Sequence, residues 1–301
     1  MLLYNYTAIQ EIEEDLFREA GVRLLIKRED LNHPYISGNK WWKLKYNLEK
    51  ALASSHKTVL TFGGAFSNHI YATAAACDEV QLKSIGIIRG ERVEPLNNTL
   101  QFATNKGMDL HFVSRSEYRN KNDKHFIDYL HSHYGNFHLV PEGGSNLDAV
   151  KGCKEFTEQE LLNLAYDYIV LPVGTGGTAA GILCGLDHKK QLIGISVLKD
   201  GEFLNGEVLS MAEAFSGKKY KNFQLLTAYD HGGYAKVNRE LIDFIRAMKA
   251  KHGLPLDPIY TGKMMWAIYK EIADGKFEKG STLLAIHTGG LQGAASLMKE
   301  A

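Results

Sequence analysis

The sequence predicts an α/β protein built on open, mostly parallel twisted sheets flanked by helices. Three observations carry that prediction. Short β-rich runs alternate with helical stretches along the chain. Several of those runs, such as YIVLPV from Tyr168 and TLLAIH from Thr282, are nearly continuous in apolar residues, as strands buried on both faces are. Glycine-rich turns follow four of them, at the strand ends where ligands bind in sheets of this kind.

In chain order, strands are expected over residues 22–27, 58–62, 83–88, 109–113, 137–140, 168–173, 191–197, 223–228 and 282–287. Helices are expected between them. Residues 39–54 place Trp41, Leu44, Leu48, Ala51 and Leu52 on one stripe, with lysines elsewhere. Further helices are read over 69–77, 98–106, 121–133, 147–164, 178–187, 236–251, 263–274 and 291–299. The strand–helix–strand order requires right-handed crossovers. At about 150 residues per domain, 301 residues make roughly two domains. No Pro- or Ser-rich linker separates them, so the second is read as an insertion.

Composition narrows the class. Hydrophobic residues are 45% and charged residues 23%, the balance of a globular chain rather than a disordered one. Lys+Arg and Asp+Glu are both 35, which argues against a basic nucleic-acid surface or a polybasic membrane patch. Cys77, Cys153 and Cys184 are odd in number and widely spaced, without C-x-x-C, so neither a disulfide framework nor a cysteine zinc site is expected. The start of the chain has no basic residue before Arg18, and no apolar run nears the ~18 residues of a membrane span. A soluble, cytoplasmic protein is expected. His125, His131, His133 and His138 read as a polar surface tract rather than a metal site, and no metal is expected. Tyr4 and Tyr6 read as an arm packed on the body or on a partner subunit.

The glycine turns carry the chemistry. Residues 58–62 run into GGAFSNH, 137–140 into PEGGSN, 168–173 into GTGGT, and 282–287 into TGG. One such turn is ordinary; four imply backbone approaching one ligand from several sides. Gly174, Thr175, Gly176, Gly177 and Thr178 join a strand to a helix start, so their N–H groups, two hydroxyls and the helix dipole can cradle a phosphate. The turn lacks the lysine of a P-loop, and no clear acid ends the next strand as a dinucleotide fold needs. Lys40 opens a helix three residues before Lys43. A neighbouring cation and a helix N-terminus both depress an amine's pKa, and a neutral amine attacks a carbonyl.

SGNKWWKLKY, GGAFSNHIYATAA, PEGGSN, GTGGTAAG, LDPIYTGK and IHTGG occur in this order. Through them, from about Lys27 to Gly290, the chain resembles the pyridoxal-phosphate enzymes of the ACC deaminase / D-cysteine desulfhydrase family, of the tryptophan synthase β-like fold (fold type II). The resemblance implies a large domain of residues 1–43 and 149–301, a small inserted domain of 44–148, the cofactor in the cleft between them, and a homodimer. It implies that Lys40 binds pyridoxal 5'-phosphate covalently, that Asn68 hydrogen-bonds the cofactor's 3′ oxygen, and that Ser67 touches the substrate as nucleophile or proton shuttle. Gly174, Thr175, Gly176, Gly177 and Thr178 match the phosphate cradle. Thr288 matches the hydroxyl facing the pyridine nitrogen, Tyr260 a tyrosine over the cofactor, and Tyr234 the family's other active-site tyrosine. Ser67, Asn68 and His69 begin a helix, whose N–H groups suit a substrate carboxylate. A threonine cannot hold a proton on the pyridine nitrogen, which tempers the electron sink and suits β-elimination.

Two residues choose a branch. Bacterial ACC deaminases resemble Y-E-G-K and S-N-Q; here Thr261 gives Y-T-G-K and His69 gives S-N-H, the desulfhydrase pattern. The expected reaction is β-elimination from a small D-amino acid, with D-cysteine giving pyruvate, ammonia and sulfide. Opening of 1-aminocyclopropane-1-carboxylate (ACC) to 2-oxobutyrate is the second reading. Trp42 and Tyr71 stand where the family carries arginines. They motivate a third reading, a cofactor-binding homologue without productive catalysis.

Overall fold

The computed structural model describes residues 2–293. Its strands, in chain order, are β1 (Ile9–Ile12), β2 (Arg23–Lys27), β3 (Thr58–Gly64), β4 (Lys83–Arg89), β5 (Met108–Val113), β6 (His138–Val140), β7 (Tyr168–Val173), β8 (Gln191–Ser196), β9 (Phe223–Leu226) and β10 (Thr282–Ile286). The helices are α1 (Asp15–Ala20), α2 (Asn39–Ala53), α3 (Asn68–Glu79), α4 (Asn98–Asn105), α5 (Arg115–Tyr118), α6 (Lys124–Tyr134), α7 (Leu147–Phe156), α8 (Gly177–Leu186), α9 (Phe203–Ser216), α10 (Arg239–His252) and α11 (Thr261–Ala273). Among these, no helix is long and apolar enough to cross a membrane.

Two sheets result. One has six strands in the order β1-β2-β10-β7-β8-β9, and the other four in the order β5-β4-β3-β6. All pairs are parallel except β1 with β2. The two sheets are the mostly parallel, helix-covered pair that the sequence predicts. The apolar runs of β7 and β10 are central in the larger sheet and covered on both faces. One core lies where α2, α7, α8 and α9 pack against that sheet; the opposite face is covered by α1, α10 and α11. The smaller sheet has Tyr118, Leu130 and Phe137 on one face and Ile70, Leu100 and Ala103 on the other.

Caps set the helix starts. Ser67, Asn97, Asn146 and Asn238 each accept a backbone N–H with a side-chain oxygen at the start of α3, α4, α7 and α10. Several elements differ from expectation. The stretch expected as one helix over 147–164 is α7 followed by a π-helical turn, Thr157–Leu161. The helix expected from residue 121 starts at Lys124, because Asp123 caps it. Strand β1 and helices α1, α5 and α9 have no counterpart among the expected elements. Of the helix expected over 291–299, Leu291–Gly293 form a 3₁₀ turn and the remainder lies outside the described residues. The N-terminal arm packs on the body: Tyr4 lies against Trp41 and Trp42.

Candidate active site

The C-terminal ends of the two sheets enclose a cavity of about 580 Å³. Lys40, Ser67, Asn68, His69, Gly174, Thr175, Gly176, Thr178, Tyr234, Tyr260 and Thr288 all line it. Gly177 does not. It is the first residue of α8, buried so close to Ser145 that a Cβ there would stand 2.7 Å from the serine Oγ.

The cavity is assembled around the start of α2. Gly38, at φ 73°, lets the turn before Lys40 lie against the segment after β10. A Cβ at position 38 would stand 2.6 Å from Gly289 N and closer still to the Thr288 carbonyl. Asn39 then donates its Nδ2 to Thr178 Oγ1 at 2.8 Å and accepts Lys40 Nζ on Oδ1 at 2.9 Å. One asparagine thereby ties the lysine to the phosphate-type turn.

The amine of Lys40 is pushed down to about 8, chiefly by burial, with Cys153 and Asp257 pulling the other way. The sequence expectation made the neighbouring cation and the helix N-terminus the agents. The coupling between the two amines is felt instead at Lys43, which is 2% exposed and lowered to about 7 by burial first and Lys40 second. Lys43 Nζ donates to Ser145 Oγ at 2.8 Å, and Ser145 Oγ lies 2.6 Å from Thr175 Oγ1. An ammonium and two hydroxyls thus meet the glycine turn at the start of the ten-residue α8. That donor set suits an anion.

Across the cavity, Ser67 caps α3, and its Oγ accepts from Ile70 N at 3.3 Å. The N–H groups of Asn68 and His69 lie in the first helical turn, which has no intrahelical acceptors for them. The His69 ring turns inward. Thr61 donates its hydroxyl to the Val140 carbonyl at 2.7 Å, so Thr61 Oγ1 accepts from His69 Nε2, also at 2.7 Å. Burial, then Lys40 and Lys43, hold the imidazole well below its ordinary pKa. The ring is neutral and structural; the backbone N–H is what His69 can offer a carboxylate. Asn68 Oδ1 accepts from Gln292 Nε2 at 2.6 Å.

Asp257 was not picked out by sequence reasoning. Fully buried, it accepts from the N–H groups of Ile259, Tyr260 and Thr261 and from the Thr261 hydroxyl, all within 2.7–2.9 Å. This carboxylate caps α11 and fixes Tyr260. The Tyr260 ring stands 6.0 Å from that of Tyr234 at 73°. Burial first, then Tyr234, raises the Tyr260 phenol well above its ordinary pKa. Arg89, at the end of β4, and Glu142, which accepts from Tyr118 Oη at 2.8 Å, also line the cavity. Both follow expected strands, and that position was the available signal.

Trp42 and Tyr71 lie off the cavity. The indole of Trp42 is buried and donates to Glu29 Oε2 at 2.9 Å. Tyr71 stacks on Phe102, with ring centroids 3.7 Å apart.

With this geometry in hand, comparison with known proteins gives one family. A family model described as pyridoxal-phosphate dependent enzyme matches residues 3–289. The chain is 30% identical to a mitochondrial bifunctional D-cysteine desulfhydrase/1-aminocyclopropane-1-carboxylate deaminase of Arabidopsis thaliana, over 91% of this chain and 73% of that one. It is 28% identical to a D-cysteine desulfhydrase of Yersinia pestis, over 96% of this chain and 92% of that one. A crystal structure of an ACC deaminase homologue superposes with a TM-score of 0.85 at 29% identity, covering 100% of this chain and 95% of that one.

Proposed function

The chain belongs to the pyridoxal-phosphate dependent enzyme family, and we propose that it catalyses β-elimination from a small D-amino acid, D-cysteine above all, giving pyruvate, ammonia and sulfide. The residues present fit the cofactor. Lys40 offers a desolvated amine for its aldehyde. The turn from Gly174 to Thr178, with Lys43 and Ser145, offers N–H, hydroxyl and ammonium donors for its phosphate. Asn68, Tyr260 and Thr288 line the space left for its ring. When bound, pyridoxal phosphate supplies an electron sink for a carbanion at the substrate's α-carbon.

The remaining work falls to the chain. The first turn of α3 and the Ser67 hydroxyl bind and orient the substrate carboxylate. The Lys40 amine takes the α-proton, as an amine near 8 is suited to do at neutral pH. Ser67 and Tyr234, two of the hydroxyls lining the cavity, pass a proton to the departing sulfur in this reading. Arg89 and Glu142 line the same cavity.

The single observation that carries desulfhydration over ring opening concerns Thr261. Where ACC deaminases carry glutamate after the tyrosine, this hydroxyl is fully buried and committed to Asp257 Oδ2 at 2.7 Å, so position 261 presents no carboxylate to the cavity. The second reading, ACC deamination, is favoured by the bifunctional name of the Arabidopsis relative. A cytoplasmic homodimer completes the proposal; the free, buried cysteines suit a reducing compartment.

The test is direct. Purified holoenzyme with D-cysteine releases sulfide and pyruvate in equal amounts and leaves L-cysteine largely untouched. Release of 2-oxobutyrate from ACC without sulfide from D-cysteine would reverse the order of the two readings. Cofactor binding with no turnover of either would leave the silent homologue.

A further inference from the structure

Lys263 is fully buried, yet it lies outside the cavity lining. Its ammonium donates to two backbone carbonyls, Asp230 O at 2.6 Å and Gly233 O at 2.7 Å. Among the described residues, no carboxylate stands within ion-pair distance of it. Burial pushes the amine down to about 8. Asp230 and Asp257 attract the ammonium from beyond contact distance but do not pair with it. A buried lysine without a direct ion pair is expensive, and an apolar side chain of the same length would fill the space more cheaply. What the amine adds is the placement of those two carbonyls.

Both carbonyls belong to the loop that presents Tyr234. Gly233 N donates to Asp230 O at 3.0 Å, and Lys236 N to Gly233 O at 3.1 Å. The lysine therefore joins the turn before the tyrosine to the turn that contains it. The loop needs such a clamp. His231, Gly232, Gly233 and Ala235 all have positive φ, at 50°, 94°, 110° and 57°. That backbone is unfavourable for the histidine and the alanine. Tyr234 faces the cavity, so its ring is held from the Tyr260 side and by the loop backbone that carries it. Helix α11 grips the loop twice: Tyr260, just before its first residue, meets the Tyr234 ring, and Lys263, one turn later, takes the carbonyls.

We infer that Lys263 is a positioning residue that holds the Tyr234 loop in its strained form, so that the phenol stays in the cavity beside Tyr260. The effect on turnover rests on Tyr234 acting in the proposed reaction; the effect on the loop does not.

The experiment pairs Lys263→Met with Tyr234→Phe in the holoenzyme. Hydrogen exchange of residues 230–236 is expected to speed up about tenfold or more in Lys263→Met, with bound cofactor per chain unchanged. Turnover of D-cysteine should fall roughly 10- to 100-fold, mainly in kcat, as misplacement of a reacting group does. In the double variant it should fall no further than in the worse single variant. Unchanged exchange in the loop overturns the inference, and so do full and multiplicative losses in the double variant. If Tyr234→Phe alone turns over normally, the role given to Tyr234 is withdrawn, and the exchange result still decides whether Lys263 holds the loop. Should Lys263→Met not fold, Lys263→Gln keeps N–H donors on a shorter stem and is read by the same exchange measurement, with a smaller acceleration expected and none overturning the inference.

Discussion

Replacing Lys43 by methionine should make the apo protein more stable and the holoenzyme weaker. Folding buries the Lys43 cation beside the Lys40 amine. In the folded chain the Lys43 amine is lowered to about 7, from an ordinary 10.5. Between those values the unfolded chain carries a proton that the folded chain lacks, so folding stability rises with pH across that window. The burden is full below pH 7 and gone above 10.5. Three and a half pH units at ~1.4 kcal/mol each come to about 5 kcal/mol at neutral pH. Methionine keeps the carbon stem but loses the bond to Ser145, worth about 1 kcal/mol. A net gain of about 3–4 kcal/mol is expected, or roughly 6–16 °C in Tm for a chain of this size. The assay is denaturation of cofactor-free protein at pH 7 and pH 10. Lys43→Met should be more stable at pH 7, with the advantage shrinking sharply by pH 10. The same variant should hold pyridoxal phosphate at least tenfold more weakly, having lost the amine that bonds Ser145 next to Thr175 and that a phosphate would keep protonated. An apo variant no more stable than wild type at pH 7, or an advantage independent of pH, would refute the argument.

Other perturbations probe other parts of the site. Gly38→Ala forces a left-handed alanine against the Gly289 backbone. Calorimetry should show a loss of at least about 2 kcal/mol, and turnover should drop about a hundredfold as Lys40 and Thr288 move apart. Thr288→Asp places a carboxylate in the cavity at the position where the family resemblance implies a hydroxyl facing the pyridine nitrogen. Product analysis should show slower β-elimination and a rise in transamination; rates unaltered in both would remove the idea that this threonine tempers the electron sink. Thr61→Val removes the acceptor of the buried His69 Nε2–H and should destabilise the protein by about 1–3 kcal/mol in thermal unfolding, with a smaller effect on KM.

Much of the site could be read from the chain because its parts are local. The strand–glycine turn–helix arrangement brings N–H groups to strand ends whatever surrounds it, and four such turns converge in one cavity. The central strands announced themselves through unbroken apolar runs. The elements that escaped notice lack such signals. β1 is four residues, Ile-Gln-Glu-Ile, at an antiparallel edge. α9 has a glycine in its second turn and follows a run of charged residues. Long-range polar partners were also hidden. The donors to Asp257 lie in the helix start that follows it, and the acceptors of Lys263 are backbone carbonyls 30 and 33 residues away, so neither partnership shows in the local sequence. Trp42 and Tyr71 looked like lost cations beside the cofactor; burial against Glu29 and stacking on Phe102 take them out of the cavity.

Which amine meets the cofactor decides the chemistry of the site. Holoenzyme reduced with borohydride, digested and mapped by mass spectrometry should carry one pyridoxyl group, on the peptide containing Lys40, and Lys40→Ala should carry none. A label on Lys43 or Lys263 in the wild-type protein, or none on a protein that binds pyridoxal phosphate, would contradict it.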